Sequence, residues 1–258
     1  MIITGIDAKG SHINPNNSKL TEIALVLWDT VSRQPLKEFS SFVYEEGFEE
    51  IDPSSQKYCN FNSEMVKTFG EKNMAKIEEK VWEFFNASDY VFGHNITKMS
   101  RSNLDGFMSR NSSTYEDFKK LGKVWVNSTT DIEFPSHCEN MNLLYLCGFH
   151  GIQNNFPRRA LSDLYGIFKV ASFYSFERMT ELAKSELVQL ATAFDIPRYE
   201  DRTEEVLATY NYYKREAKLN GFQWLDQNKC WTKNVKKILL DEGRIQYNFP
   251  TTVVGCLY

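Results

Sequence analysis

The chain has 258 residues, 42% of them hydrophobic and 25% charged, with a formal net charge of −4. That length suits one large domain, or a medium domain with a small appendage, and the composition is that of an ordinary globular protein. The acidic balance argues against a protein that coats polyanions, which carries a basic excess, but leaves room for one that grips a few phosphates locally.

In chain order, residues 2–7 (IITGID) form an apolar run that ends in an acid and reads as a buried strand. A strand has period two, so Asp7 and Lys9 point to one face. A metal site there would want a second acid at 9, and the chain places a cation. Residues 9–19 are loop by their Gly, Pro, Asn and Ser content. Strands follow at 22–28 and 36–44 across the polar turn 29–33, an antiparallel meander. After a polar, Pro-containing loop comes a short helix at 62–69. An amphipathic helix then spans 73–86, with Met74, Ile77, Val81, Phe84 and Phe85 on one stripe. A fourth strand at 89–93 ends at His94-Asn95. A helix crosses 104–108, and a fifth strand at 124–126 leads into 127–131. Helices are expected at 138–148, 158–170 and 175–184. Antiparallel strands first, then strands alternating with helices, predict an α/β fold: a mixed central sheet with helices on both faces.

From about 187 the pattern changes to a small α+β module, which places the domain boundary near 185 (1–185 and 186–258). A strand is expected at 187–193. A helix at 203–220 carries Val206, Tyr210, Tyr213 and Ala217 on one stripe. A hairpin of 222–224 and 229–231 turns through 225–228, and 251–258 is β-like.

Five cysteines (Cys59, Cys138, Cys147, Cys230 and Cys256) are odd in number, irregular in spacing and without CxxC. They read as reduced thiols, with no zinc spacing. The N-terminus lacks the basic and apolar regions of a signal peptide, and no run approaches the roughly 18 apolar residues of a membrane span. The expectation is a cytoplasmic protein with no membrane partner.

Several residues, in order, resemble the DnaQ-like (DEDDh) 3′–5′ exonuclease family on the ribonuclease H-like fold. They are the apolar strand ending in Asp7, Thr21-Glu22-Ile23-Ala24, Gly93-His94-Asn95, Asn127-Ser128 with Asp131 and Pro135, and Arg158-Arg159-Ala160-Leu161-Ser162-Asp163. The resemblance covers about 1–185. It implies a ribonuclease H-like mixed sheet and two divalent metals, Mg²⁺ or Mn²⁺, about 3.5–4 Å apart and clamping the scissile phosphate. Four acids would hold them, because such ions want oxygen ligands, and a His on the last helix would be the general base.

Residue by residue the chain departs from that pattern. Asp7 and Asp163 fit the first and last acids and are the only candidate metal ligands. The other family positions hold Lys9, Ser100 (beside Met99) and Arg158, the last a group that cannot act as a base. A cation about 4 Å from a dication is repelled by about 8 kcal/mol at an effective dielectric of about 20. The ammonium of Lys9 and the guanidinium of Arg158 are therefore expected to take the metals' place beside Asp7 and Asp163.

His94-Asn95 reads either as a strand-ending structural turn or as a nucleic-acid contact. His12, His137 and His150 have no partner at ligand spacing and read as loop or surface residues. Asp131, Glu133 and Glu139 read as a solvated acidic face. In loop 9–19, Asn14, Asn16, Asn17 and Ser18 lie where they could meet nucleic acid or a partner. The second module resembles the GF-x-W…K-x-W-x-K module that follows the nuclease domain in some bacterial and phage members. Its Trp224, Trp231 and Lys233 are candidate nucleic-acid contacts, against the plainer reading that Phe222, Trp224 and Trp231 are the module's own core.

The expected function is a catalytically degenerate exonuclease-fold protein that binds nucleic acid (a single strand or 3′ end) or a protein partner. An active metal-dependent 3′–5′ exonuclease with a rearranged site is the first alternative. An inhibitor or decoy on a nuclease scaffold, of the kind a phage or mobile element encodes, is the second.

Overall fold

The computed structural model describes residues 1–258 except Ser136, Glu139, Ala193, Asp195, Ile196, Arg198, Tyr199, Asp201, Gln227, Asn228 and Tyr258. Backbone contacts divide the chain into two units, Met1–Ala183 and Lys184–Tyr258.

The first unit begins with β1 (Ile2–Gly10), β2 (Leu20–Asp29) and β3 (Gln34–Phe42). Three helices follow: α1 (Pro53–Gln56), α2 (Ser63–Phe69) and α3 (Met74–Asn86). Next come β4 (Tyr90–Gly93), α4 (Ser100–Asn111), α5 (Tyr115–Lys119) and β5 (Val124–Asn127). The unit closes with α6 (Leu143–Phe149), α7 (Ala160–Ala171) and α8 (Phe176–Lys184). Short side chains set several starts: Asn62 caps α2 through the Met65 N–H, and Asn142 caps α6 through the Leu144 N–H. One turn, α1, lies inside what reads as a polar loop; Asp52-Pro53, an N-cap followed by a first-turn proline, is its mark in the sequence.

The sheet order is β3-β2-β1-β4-β5. The first three strands pair antiparallel, and β1–β4 and β4–β5 are parallel. This is the mixed sheet expected from the order of elements. Period two along β1 sorts its residues onto two cores. Ile6 and Ala8 face the cluster of Ile77, Val81, Phe84 and Phe85 from α3 with Leu104 and Phe107 from α4. Ile3 faces Leu164, Ile167 and Phe168 of α7. A Cβ at Gly5 would lie 2.2 Å from the Phe168 ring. Glycine there lets α7 press onto the strand, and the next residues on that face are Asp7 and Lys9.

The second unit holds β6 (Leu187–Thr192), α9 (Glu204–Leu219), β7 (Gln223–Leu225), β8 (Cys230–Lys236), α10 (Lys237–Asp241) and β9 (Thr251–Leu257). Its strands form a separate sheet, β7-β8-β6-β9. Val188, Leu190, Ala217, Phe222, Trp231, Val235 and Phe249 make its core. The last residues expected in its first and final strands, Ala193 and Tyr258, and two of its expected turn, Gln227 and Asn228, lie outside the described residues.

Candidate functional site

The end of β1 opens into a cleft of about 680 Å³. Two carboxylates and one ammonium stand at its base. Lys9 Nζ lies 2.7 Å from Asp7 Oδ2 and 2.8 Å from Asp163 Oδ2. Burial alone would pull the Lys9 ammonium down, but the charges of Asp7 and Asp163 outweigh it and hold its pKa above the ordinary lysine value. The other oxygens are also engaged. Ser100 donates to Asp7 Oδ1 at 3.1 Å while accepting the Ala8 N–H at 3.2 Å. Asp163 Oδ1 accepts from the Asn154 amide at 3.1 Å and the Arg158 backbone N–H at 2.9 Å.

All four carboxylate oxygens thus have a donor, and the one charge between them is positive. A two-metal centre needs free oxygens and about four negative charges. Asp7 and Asp163 fit neither requirement. Among the described residues no group of three or more His, Cys, Asp and Glu is placed to hold a metal ion. The donor set therefore does not suit the divalent ions that the family resemblance implies.

Lys9, Ser100 and Asp163 converge on Asp7, as their positions in the sequence suggest. Arg158 departs from expectation. It lies in the loop before α7, and its guanidinium makes no ion pair among the described residues; its backbone amide binds Asp163 instead. The backbone accounts for this: Arg158 has φ 66°, a left-handed conformation held by a distant contact, its carbonyl accepting from the Asn60 N–H at 3.2 Å, and its side chain is exposed. Asn95, also on the cleft, has φ 48°. Strained non-glycine residues of this kind gather at functional sites.

His94 lines the cleft with its Nδ1 2.9 Å from the Ser128 hydroxyl, and burial lowers its pKa despite the nearby charges of Asp7 and Asp163. Above the base, Lys57, Tyr58, Ile13, Met141 and Leu144 form the walls. Lys57 Nζ sits 5.2 Å from the Tyr58 ring, and that ring is about half exposed. Burial pushes the Cys59 thiol below them up to about 12, which makes it inert at neutral pH. Sequence reasoning missed Lys57, Tyr58 and Asn154, which sit in loop-like stretches without periodicity.

Glu22, one of the resemblance residues, has a structural task. Its carboxylate, 1% exposed, accepts from Arg159 Nε at 2.8 Å and the Ala160 N–H at 2.9 Å, closing the start of α7. Burial raises its pKa against those bonds. Arg159 in turn lies 4.6 Å over the Phe42 ring. The pair fixes the helix that delivers Asp163.

The remaining candidates separate. Asp131 is buried rather than solvated, accepting from the Asn127 N–H at 2.7 Å, and Glu133 pairs with Arg178 at 2.8 Å. Glu139 lies outside the described residues. His150 is bound at both nitrogens, to the Leu146 carbonyl and the Tyr174 hydroxyl. Ser18 is buried in its loop and accepts the His12 N–H. In the second unit Trp231 is 8% exposed and meets Trp224 edge-on at 5.6 Å. Lys233 Nζ donates to the carbonyl of Asn220, which ends α9, at 2.7 Å.

No helix among the described residues is long and apolar enough to cross a membrane. No family model matches the sequence, and no curated protein matches it. Solved structures do. Escherichia coli Exonuclease I in complex with a 5cy-dA13 oligonucleotide matches with TM-score 0.55 and 12% identity over 73% of this chain and 47% of that one. The zinc-bound form of the E. coli Exonuclease I–single-stranded DNA complex gives TM-score 0.58 and 12% identity over 73% and 47%. A further structure of Exonuclease I gives 0.56 and 11% over 75% and 49%. The chain spans about half the length of the structures it matches. With its five-stranded mixed sheet flanked by helices, this chain has the ribonuclease H-like exonuclease fold seen in E. coli Exonuclease I.

Proposed function

We propose that this protein is a catalytically silent exonuclease-fold protein that holds the end of a single-stranded nucleic acid in the β1 cleft without cutting it. The observation that carries the reading is the Lys9 ammonium seated between Asp7 and Asp163. In place of an anionic cradle for cations, the cleft has two carboxylates that share one ammonium, a net charge of −1 that the two exposed cations on its rim, Lys57 and Arg158, outweigh. That balance favours phosphate. Tyr58, Ile13, Met141 and Leu144 provide ring and apolar surface for a terminal base, since base–aromatic stacking tolerates any sequence. The single-stranded DNA held by Exonuclease I is consistent with this ligand class.

Incubation of the protein with end-labelled single- and double-stranded DNA and RNA, in Mg²⁺, Mn²⁺ or EDTA, tests the reading. The expected result is salt-dependent binding of single strands that EDTA leaves unchanged, with no degradation. Degradation by the natural sequence, abolished in Asp7→Ala, overturns it in favour of an active nuclease. Absence of binding to every nucleic acid also overturns it and points to a protein partner.

A further inference from the structure

A second surface on the first unit has no part in the cleft. Two depressions of about 650 and 400 Å³ share Tyr165 and Lys169, and so form one groove between α7 and the edge strand β3. Ser162, Tyr165, Lys169 and Ser172 recur every three or four residues and make its helical wall. From Arg159 to Phe173 that wall runs about 20 Å at 1.5 Å per residue.

The groove lies beside the cleft, with Asn154 between them. The Asn154 amide nitrogen binds Asp163 in the cleft, and its carbonyl oxygen accepts at 2.5 Å from Ser162, which lines the groove. One exposed ring stands at each end: Phe156, 67% exposed, near the cleft and Phe173, 65% exposed, at the far end. Lys169 lies between them and Arg33 beside Phe173. Both cations are exposed and make no ion pair among the described residues. Of the acids here, Glu22 is paired with Arg159 and the Ala160 N–H, while Glu38 accepts from the Tyr165 hydroxyl and keeps its charge, against the two cations.

Lys169 on its own is explained by the last turn of α7, where a cation complements the helix dipole. That does not explain the second cation, which sits in the turn set by the Asp29 carboxylate binding the Val31 and Ser32 N–H groups, nor the ring at each end. Unpaired positive charge interleaved with exposed rings, one side chain away from a cleft read as holding a strand end, matches the surface that tracks a single strand.

We propose that this groove carries the stretch of single-stranded nucleic acid that adjoins the end in the cleft, with Lys169 and Arg33 on phosphates and Phe156 and Phe173 on bases. The inference rests on the cleft reading above. Fluorescence anisotropy with a thymidylate trinucleotide and a dodecamer separates the two, with thermal melts confirming that each variant is folded. In Arg33→Glu/Lys169→Glu the dodecamer should bind at least about tenfold more weakly, and its salt slope should fall by about 1.4 for the two lost phosphate contacts. In Phe156→Ala/Phe173→Ala it should weaken by about fivefold or more. The trinucleotide should bind all forms alike. Dodecamer binding unchanged in both variants overturns the groove and leaves the cleft standing. Failure of the natural protein to bind either oligonucleotide overturns the cleft reading, and the groove with it.

Discussion

Replacing Lys9 with Glu converts the centre of the cleft from one cation between two acids to three acids. Two short ion pairs are lost, and two like-charge contacts replace them, each costing about 4 kcal/mol at ~4 Å and an effective dielectric of about 20. Relaxation of the side chains and partial protonation offset some of this. Breaking a buried pair alone costs about 3–5 kcal/mol, so about 5 kcal/mol is the expected net loss. In a unit of this size that lowers Tm by about 10–20 °C. The new carboxylate also supplies the missing ligand. Mn²⁺ at a hundredfold excess over its Kd restores about 2.7 kcal/mol, or about 5–10 °C. Thermal denaturation in EDTA and in Mn²⁺ reads both numbers. The natural protein should show no metal-dependent shift, and Lys9→Glu a large one. A saturable rise in Tm of the natural protein with Mn²⁺, or a Lys9→Glu variant as stable in EDTA as its parent, would refute the argument that the ammonium occupies the ions' place.

Three further outcomes follow from neighbouring contacts. Ser100→Ala removes the hydroxyl that links Asp7 to the Ala8 N–H and should cost about 1–3 kcal/mol in urea unfolding, with Ser100→Thr retaining part of it. Glu22→Ala removes the acceptor of the Arg159 guanidinium and of the first N–H of α7 and, with Arg159 a third exposed, should cost about 1–3 kcal/mol by chemical denaturation; a loss under about 0.5 kcal/mol would show that α7 does not depend on this cap. His94, whose pKa burial depresses, binds its proton more readily in the unfolded chain. Stability should therefore fall as pH drops below about 6.5, by at most about 1.4 kcal/mol per pH unit from this group. His94→Gln should flatten that slope between about pH 5 and 7 in denaturation curves taken across the range.

The architecture of the first unit is largely written in local pattern. The apolar run along 2–7 and the stripe of Ile77, Val81, Phe84 and Phe85 are properties of neighbouring residues, and so are the strand and helix they become. The period-two rule for a strand brings Asp7 and Lys9 together. The partners from far along the chain are not legible that way. Asn154 sits in a loop of Gly, Gln and Asn with no periodicity, and nothing local announces that its amide meets Asp163. Lys57 and Tyr58 follow a one-turn helix marked only by Asp52-Pro53 at its start, too short for any periodicity to show which side chains face the cleft. Arg158 meets Asp163 through its backbone N–H and not its guanidinium, which the sequence does not announce, because a left-handed φ in a non-glycine residue is imposed by tertiary contacts and not by its own preference. Asp131 and Glu133 look like a polar surface in sequence, and only the fold shows the first buried against the end of β5.

The Lys9 bridge also bears on how the sheet finds its alignment. Asp7 lies opposite Ala24 and Lys9 opposite Glu22 in the β1–β2 ladder. A slip of one residue would rotate Asp7 and Lys9 into the apolar layer around Ile77 and Phe84, and send Ile6 and Ala8 toward the cleft. Charges stranded in that layer are far costlier than any hydrogen bond the slipped ladder would keep. The side chains that close the cleft therefore act as a proofreading device for strand pairing: a misaligned first hairpin cannot lock, and only the correct register lets α7 dock with Asp163 in place.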